Sequence, residues 1–146
     1  MTTRALAYLL VLALSMTSCA LVSSPEPVDF TTYSLGEIPI DEAQEVVQTV
    51  TQRFSTERFG GREFLWDPAT RNLSLDPVYD DTRRMSLYVH LKEGADAKAT
   101  NVDILALVET LLVGTLNVEW GEPKKDIFLE EMLHQAYVDE IVARRE

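Results

Sequence analysis

The stretch VDILALVETLL, Val102 to Leu112, decides the fold because it contains two apolar periodicities. One set recurs at helical spacing: Ile104, Leu105, Val108, Leu111 and Leu112. A second set alternates as the buried face of a strand does: Val102, Ile104, Ala106, Val108 and Thr110. Periodicity alone does not separate the two. We predict a helix that Thr100 or Asn101 caps and Gly114 stops, with a buried strand as the alternative.

The segment that begins at Ile40 predicts an amphipathic helix. Asp41 is a candidate cap, and Gln44, three residues later, completes the spacing of a capping box. Apolar residues then recur on one face: Ala43, Val46, Val47, Val50 and Phe54. We predict that this helix ends near Arg58 and that the pair Gly60-Gly61 closes it, since glycine adopts positive φ without strain.

Three short strands are predicted next. Phe64–Trp66 and Leu73–Leu75 flank Asp67–Thr70, where Pro68 suits a type I turn, and together they predict a hairpin. The third strand, Met85–Lys92, alternates two sets of side chains. Its apolar face has Met85, Leu87, Val89 and Leu91, and its mixed face has Ser86, Tyr88, His90 and Lys92.

The last third of the chain predicts one more strand and a terminal helix. Leu116–Trp120 alternates as a strand, and Asp126 is the expected cap of a helix that runs to about Ala143. Its inward residues are Leu129, Met132, Leu133, Ala136 and Tyr137. This order of elements predicts a small α+β domain of two layers, with an antiparallel or mixed sheet of about four strands and two to three helices on one face.

Residues 1–18 have the layout of a secretory leader: one positive charge, an apolar run and two small residues before Cys19. In order, these are Arg4, Ala5–Met16 and Thr17-Ser18. The tetrapeptide Met16–Cys19 resembles the lipobox of bacterial lipoproteins, although that family usually has leucine where Met16 stands. The resemblance implies that 1–18 is removed as a lipoprotein signal peptide and that Cys19 becomes the acylated first residue, the lipidation site.

The same resemblance implies a location. Ala20, rather than an aspartate, after the cysteine resembles the sorting signal for the outer membrane, so the domain would face the periplasm. Residues 19–29 then form a lipidated cysteine and a flexible tether, because Ser23–Pro27 is polar and proline-rich, and 30–146 is a single domain. Acyl chains hold such a protein on a bilayer without a spanning helix.

Two other interpretations of the leader stay open. A general signal peptidase that cut after Ala20, with Ser18 and Ala20 as its small residues, would discard the cysteine. Alternatively, Ala5–Val22 would remain as an uncleaved span, which is short for about 30 Å of hydrocarbon.

Charge and cysteine content exclude some partners and bonds. The chain of 146 residues has a formal net charge of −11, and loss of Arg4 with the leader brings the mature chain near −12. Nucleic acid is not an expected partner, because neutralising phosphates takes clustered lysine and arginine. With a single cysteine the fold has no internal disulfide.

Residues that carry chemistry are few and scattered. His90 lies on a strand, and Glu131 and His134 have the Glu-x-x-His spacing that di-metal bundles use in pairs, but no second copy exists. Asp76, Asp80 and Asp81 form an acidic cluster. It lacks the glycine and the terminal glutamate of an EF-type calcium loop. We therefore predict no catalytic residue, no metal site and no cofactor. Four aromatic side chains have the area to line a ligand groove, although in a small domain such residues more often complete the core: Trp66, Tyr79, Tyr88 and Trp120.

These observations favour a lipid-anchored envelope protein with a non-catalytic interaction or assembly role. Its expected partners are the membrane, through the anchor, and an envelope protein bound at a sheet edge or the last helix. An exposed apolar patch beside an open strand edge would support this hypothesis. The alternatives are a periplasmic module that binds a small molecule or lipid in a pocket of several hundred cubic ångströms, and an enzyme that uses paired carboxylates with His90 or His134.

Overall fold

The computed structural model describes residues 29–58, 60–79 and 82–146, with the backbone alone for 76–79. The predicted leader, Cys19 and nearly all of the predicted tether lie outside these residues, as do Asp80 and Asp81 of the acidic cluster. The elements are β1 (Thr31–Ser34), α1 (Ile40–Arg58), β2 (Leu65–Asp67), β3 (Asn72–Tyr79), β4 (Arg83–Glu93), β5 (Thr100–Val113), β6 (Val118–Trp120), β7 (Lys124–Lys125) and α2 (Ile127–Arg145).

Seven strands of the described chain form one antiparallel sheet, in which five follow the order β1-β5-β4-β3-β2 and the other two, β6 and β7, each pair with β5. Strand β5 is the axis of this sheet. On one side it pairs with β4 from Thr100 to Thr110, and on the other it pairs in turn with β1, β7 and β6. The class is α+β, as the sequence predicts. The sheet has more strands than the predicted four because β5 was predicted as a helix, and β1 and β7 are short strands that the sequence did not predict.

The helix predicted over Val102–Leu112 is wrong, since this segment is the centre of β5. Three members of the alternating set, Val102, Ile104 and Ala106, are fully buried, whereas Thr110 at its far end is exposed. A helix would instead have required Leu112 inside, yet this side chain is 50% exposed. Backbone pairing with strands on both sides decides the outcome, and this pairing involves residues remote in the chain.

The two helices confirm the predictions made from local patterns. Helix α1 ends at Arg58, as predicted, and buries the predicted apolar set. Glycines 60 and 61 have φ of +67° and +74°. The predicted cap at Asp41 is wrong, because the helix begins one residue earlier and the Ala43 amide donates to the carbonyl of Pro39 (2.9 Å). Asp126 does cap α2, where its carboxylate accepts from the Leu129 amide at 3.0 Å.

The predicted hairpin also forms, with Trp66 opposite Leu73. The carboxylate of Asp67 accepts hydrogen bonds from the amide of Ala69 (3.0 Å) and the hydroxyl of Thr70 (2.6 Å). These bonds close the turn and hold the pKa of Asp67 below its usual value. The predicted strand at Leu116–Trp120 is shorter than expected, because Leu116 belongs to the turn before β6.

Both helices pack on one face of the sheet and share a single hydrophobic core with it. Between them the hydroxyls of Thr51 and Tyr137 share a buried hydrogen bond of 2.7 Å, and burial raises the pKa of Tyr137. We call the opposite side of the sheet the outer face. No described helix covers it, yet Ser86 and Leu105 on this face are buried, so only part of it is accessible.

A fully buried carboxylate joins α2 to the edge of the sheet. Glu130 accepts hydrogen bonds from the hydroxyl of Thr31 (2.6 Å) and the amide of Ala106 (3.1 Å), and the ammonium of Lys125 lies 3.8 Å away. Because Thr31, Ala106 and Lys125 belong to β1, β5 and β7, one side chain ties four elements together.

Candidate functional site

The two histidines lie on different parts of the fold and each has a structural partner. The Nδ1 atom of His90 donates to the side-chain oxygen of Asn72 at 2.6 Å. The Nε2 atom of His134 donates to the carbonyl of Ser34 at 3.0 Å, and its ring stacks on Tyr33 with centroids 4.7 Å apart. His134 therefore fastens α2 to β1.

One histidine does face a carboxylate, since His90 is opposite Asp103 in the pairing of β4 with β5. The Asp103 carboxylate, however, accepts from the hydroxyl of Thr32 (2.6 Å) and lies 2.7 Å from the ammonium of Lys92. His90 is bonded to Asn72 instead. Among the described residues no group of three or more histidine, cysteine or acidic side chains is placed to hold a metal ion.

The outer face carries an aromatic groove at its β2–β3–β4 end. We define the groove by Phe30, Leu65 and Tyr88, which line a depression of about 420 Å³. Trp66 borders the same depression, but it lies opposite the buried Leu73 and packs against the core, so its side chain is on the helix-covered face. Cross-strand register brings Leu65 opposite Ser74, and Ser74 opposite Tyr88, so these three side chains form one row on this face. Leu65 is 62% exposed and Phe30 is 46% exposed.

Polar side chains form one rim of this groove. Asp67, Thr70, Asn72 and Ser74 line it beside the aromatic residues. They are linked in part to one another, since the amide of Asn72 donates to the hydroxyl of Thr70 at 2.9 Å. The arrangement combines apolar area with a few fixed donors and acceptors, as binding grooves generally do.

The groove lies beside an open strand edge. Strand β2 is the last strand of the sheet and pairs with β3 alone among the described strands. An open edge offers backbone donors and acceptors to an incoming extended segment, and the adjacent groove offers pockets for its side chains.

Sequence reasoning identified part of this site. Of the aromatic groove candidates predicted from the sequence, Tyr88 lines the groove, whereas Trp66 packs against the core on the other face of the sheet. Trp120 lies elsewhere, where the centroid of its ring is 5.2 Å from the guanidinium carbon of Arg84. The side chain of Tyr79 is outside the described part of the molecule. Phe30 and Leu65 were missed, because only the register of β2 and the path of the chain before β1 bring them to the groove.

A second apolar surface lies at the far end of β5. We call the hairpin from Leu111 to Trp120 the arm. On the β4 side of β5, the backbone hydrogen bond farthest along the strand in the described chain is donated by the Leu111 amide to the carbonyl of Thr82, just before β4 (2.7 Å). Beyond it, within the described chain, β5 pairs with β6 alone. The arm therefore extends past the rest of the sheet.

The arm exposes large apolar side chains. Leu116, at its tip, is 100% exposed and Val113 is 76% exposed, with Leu112 and Val118 also at the surface. The Gly114 amide donates to the carbonyl of Asn117 at 2.8 Å and closes the turn. A Cβ atom on Gly114 would lie 2.5 Å from the side-chain oxygen of Asn117, so this tight turn favours glycine.

Comparison with known proteins gives no further guide to the site: no family model, no curated protein and no solved structure matches this chain. Among the described residues, no helix is long and apolar enough to cross a membrane.

Proposed function

We propose that this protein is a lipid-anchored component of the bacterial cell envelope with a non-catalytic interaction or assembly role. It is held through Cys19, on the outer membrane and facing the periplasm, and it binds an extended segment of an envelope protein in the aromatic groove. The observation that carries the proposal is the exposed apolar groove beside the open edge of β2.

Two features support an extended polypeptide as the occupant. Strand β2 offers main-chain groups along its free side, and the side chains of Leu65 and Tyr88 lie in the row next to that edge. A strand added there would send alternate side chains toward the groove, which gives main-chain affinity and side-chain selectivity together. The chain's negative charge disfavours nucleic acid in the same place.

Site-specific photocrosslinking tests this docking surface. With p-benzoylphenylalanine in place of Leu65 in the full chain, we expect ultraviolet light on intact cells to give one discrete adduct. Tandem mass spectrometry of the adduct should identify a single contact segment. The adduct should be lost when Tyr88→Asp is added, because a carboxylate in the groove removes its apolar character.

The matched control places the same photoreactive residue at Gln52, an exposed position on α1 away from the outer face. Equal adducts from both positions, or an adduct from Leu65 that survives Tyr88→Asp, would contradict docking in the groove.

The anchor has its own test in intact mass. The wild-type chain produced in a lipoprotein-competent bacterium should have the mass of residues 19–146 plus acyl chains. Cys19→Ala should lose both the acyl mass and the membrane association. An unmodified mass that begins at Leu21 would instead mean cleavage after Ala20 and a freely diffusing domain.

A second candidate function is binding of a small apolar molecule or lipid in the same groove. Its size, about 420 Å³, favours this alternative. An apolar fluorescent probe such as ANS, added to the full chain, would report such binding by a rise in its emission. That change should disappear in Tyr88→Ala if the groove is the binding site.

A further inference from the structure

The arm and the N-terminal end of the described chain lie toward the same end of β5. Strand β1 is antiparallel to β5, with Thr31 opposite Ile104 and Ser34 opposite Asn101. Going backward from Thr31, the chain therefore advances toward the higher-numbered end of β5. The ammonium of Lys125, which is on the strand next along that edge, donates to the carbonyl of Asp29 at 2.5 Å.

Chain length allows an anchor and the arm to reach one plane. By register Asp29 is about level with Ala106, and Val113 lies seven residues farther along β5, which is about 23 Å at 3.3 Å per residue. The segment from an anchored Cys19 to Val28 contains ten residues. A chain of this length spans at most about 33–36 Å. A bilayer that holds Cys19 is therefore within reach of the arm tip.

The arm has the chemistry of a surface that leaves water for hydrocarbon. The nine residues Thr110 to Val118 contain no charged side chain. The one charge farther along the arm is Glu119, which pairs with Leu112 and so lies on the opposite side from Val113 and Val118. Behind the tip, residues 111–113 pair with 118–120 across the hairpin, and the Gly114 amide donates to the carbonyl of Asn117 in the turn. These bonds lower the cost of transferring their backbone groups from water.

We propose that the tip of the arm, Val113 to Val118, inserts into the interfacial region of the same bilayer that holds the lipid anchor. This inference rests on the anchor that the proposed function assigns to Cys19. The arm is then a second membrane contact beside the acyl chains, and it sets the orientation of the domain. The aromatic groove, far from the arm on the sheet, stays open to the periplasm.

A fluorescent probe at the tip tests the insertion. The full chain is produced in a lipoprotein-competent bacterium as Leu116→Cys, labelled with the environment-sensitive fluorophore NBD, and reconstituted in phosphatidylcholine vesicles. We expect a blue-shifted emission that brominated phosphatidylcholine quenches. Intact mass of the same sample counts acyl chains and labels.

Ala97→Cys is the matched control. It replaces an exposed residue in the loop between β4 and β5, at the other end of β5 from the arm. Its NBD emission should remain that of a probe in water and should not be quenched by brominated lipid.

Each other outcome is decisive. An acylated protein whose Leu116→Cys probe stays in water overturns the insertion and leaves the anchor standing. A blue shift without quenching by brominated lipid overturns it in favour of a protein contact, such as a second copy of the chain. If a protein without acyl mass is quenched after vesicles are added, the result supports insertion of the arm and refutes the anchor. If the protein is neither acylated nor quenched, both proposals are refuted.

Discussion

Glu130→Ala is expected to lower the free energy of unfolding by about 3–5 kcal/mol, the usual cost of removing one partner from a buried charge pair. The Glu130 side chain is fully buried, and its loss leaves the hydroxyl of Thr31 and the amide of Ala106 without their acceptor. It also leaves the ammonium of Lys125 beside an empty volume. For a domain whose total stability is on the order of 5–15 kcal/mol, this is a large fraction.

Urea unfolding followed by circular dichroism measures the effect. The neighbouring variant Glu131→Ala is the matched control, since it removes the same carboxylate from an exposed position of the same helix turn. We expect it to change the stability by no more than about 0.5 kcal/mol. If the two variants were equally stable, Glu130 would not be the link between α2 and the sheet.

Ile104→Ala is expected to destabilise the domain by about 2–5 kcal/mol, through lost burial and the cavity that remains. Ile104 is fully buried at the centre of β5, between Thr31 on one neighbouring strand and Val89 on the other. Strands on both sides are held in place, so the site cannot collapse easily around a smaller side chain.

Leu112→Ala on the same strand is the control, and it also tests the secondary structure of the segment. A helix would bury Leu112 together with Ile104, whereas the strand leaves Leu112 half exposed on the arm. We therefore expect a loss well below that of Ile104→Ala. Equal losses, measured by the same urea titration, would support the helical alternative and contradict the strand.

What could be predicted from the sequence was encoded locally. The apolar face of α1, the cap at Asp126 and the alternation in β4 each depend on residues within a few positions of one another, and each is confirmed. Segment 102–112 fits two periods, and its structure is decided by pairing with β1 and β4. Local pattern contains no information about those partners.

The strands that were missed have a different reason. Strand β1, Thr31–Ser34, is short and mostly polar, and β7 consists of two lysines. Neither has an apolar alternation that would predict a strand. Their place at the edge of β5 depends instead on backbone hydrogen bonds and on contacts with Glu130. Their pairing partner is visible only once β5 is known to be a strand.

The candidate surfaces divide in the same way. Tyr88 could be named from residue type, but strand register brings Leu65 to the groove beside it and places Trp66 on the other face. The arm had a usable signal, since Thr110–Val118 is an uncharged run in a chain where a quarter of the residues are charged. A run of this kind, beyond the end of a paired strand, indicates a surface that contacts something other than water.

The place of β1 in the sheet has a consequence for the order of folding. Thr32 and Asp103, which meet across β1 and β5, are 71 positions apart in the chain, whereas β4 and β5 are joined by a short loop. Closing the larger loop costs more conformational entropy, so we expect the β4–β5 hairpin to form early and β1 to dock late. In a chain that emerges N-terminus first, β1 would wait for β5 before it joins the sheet. On the proposed anchoring through Cys19, acylation would then precede the completed fold.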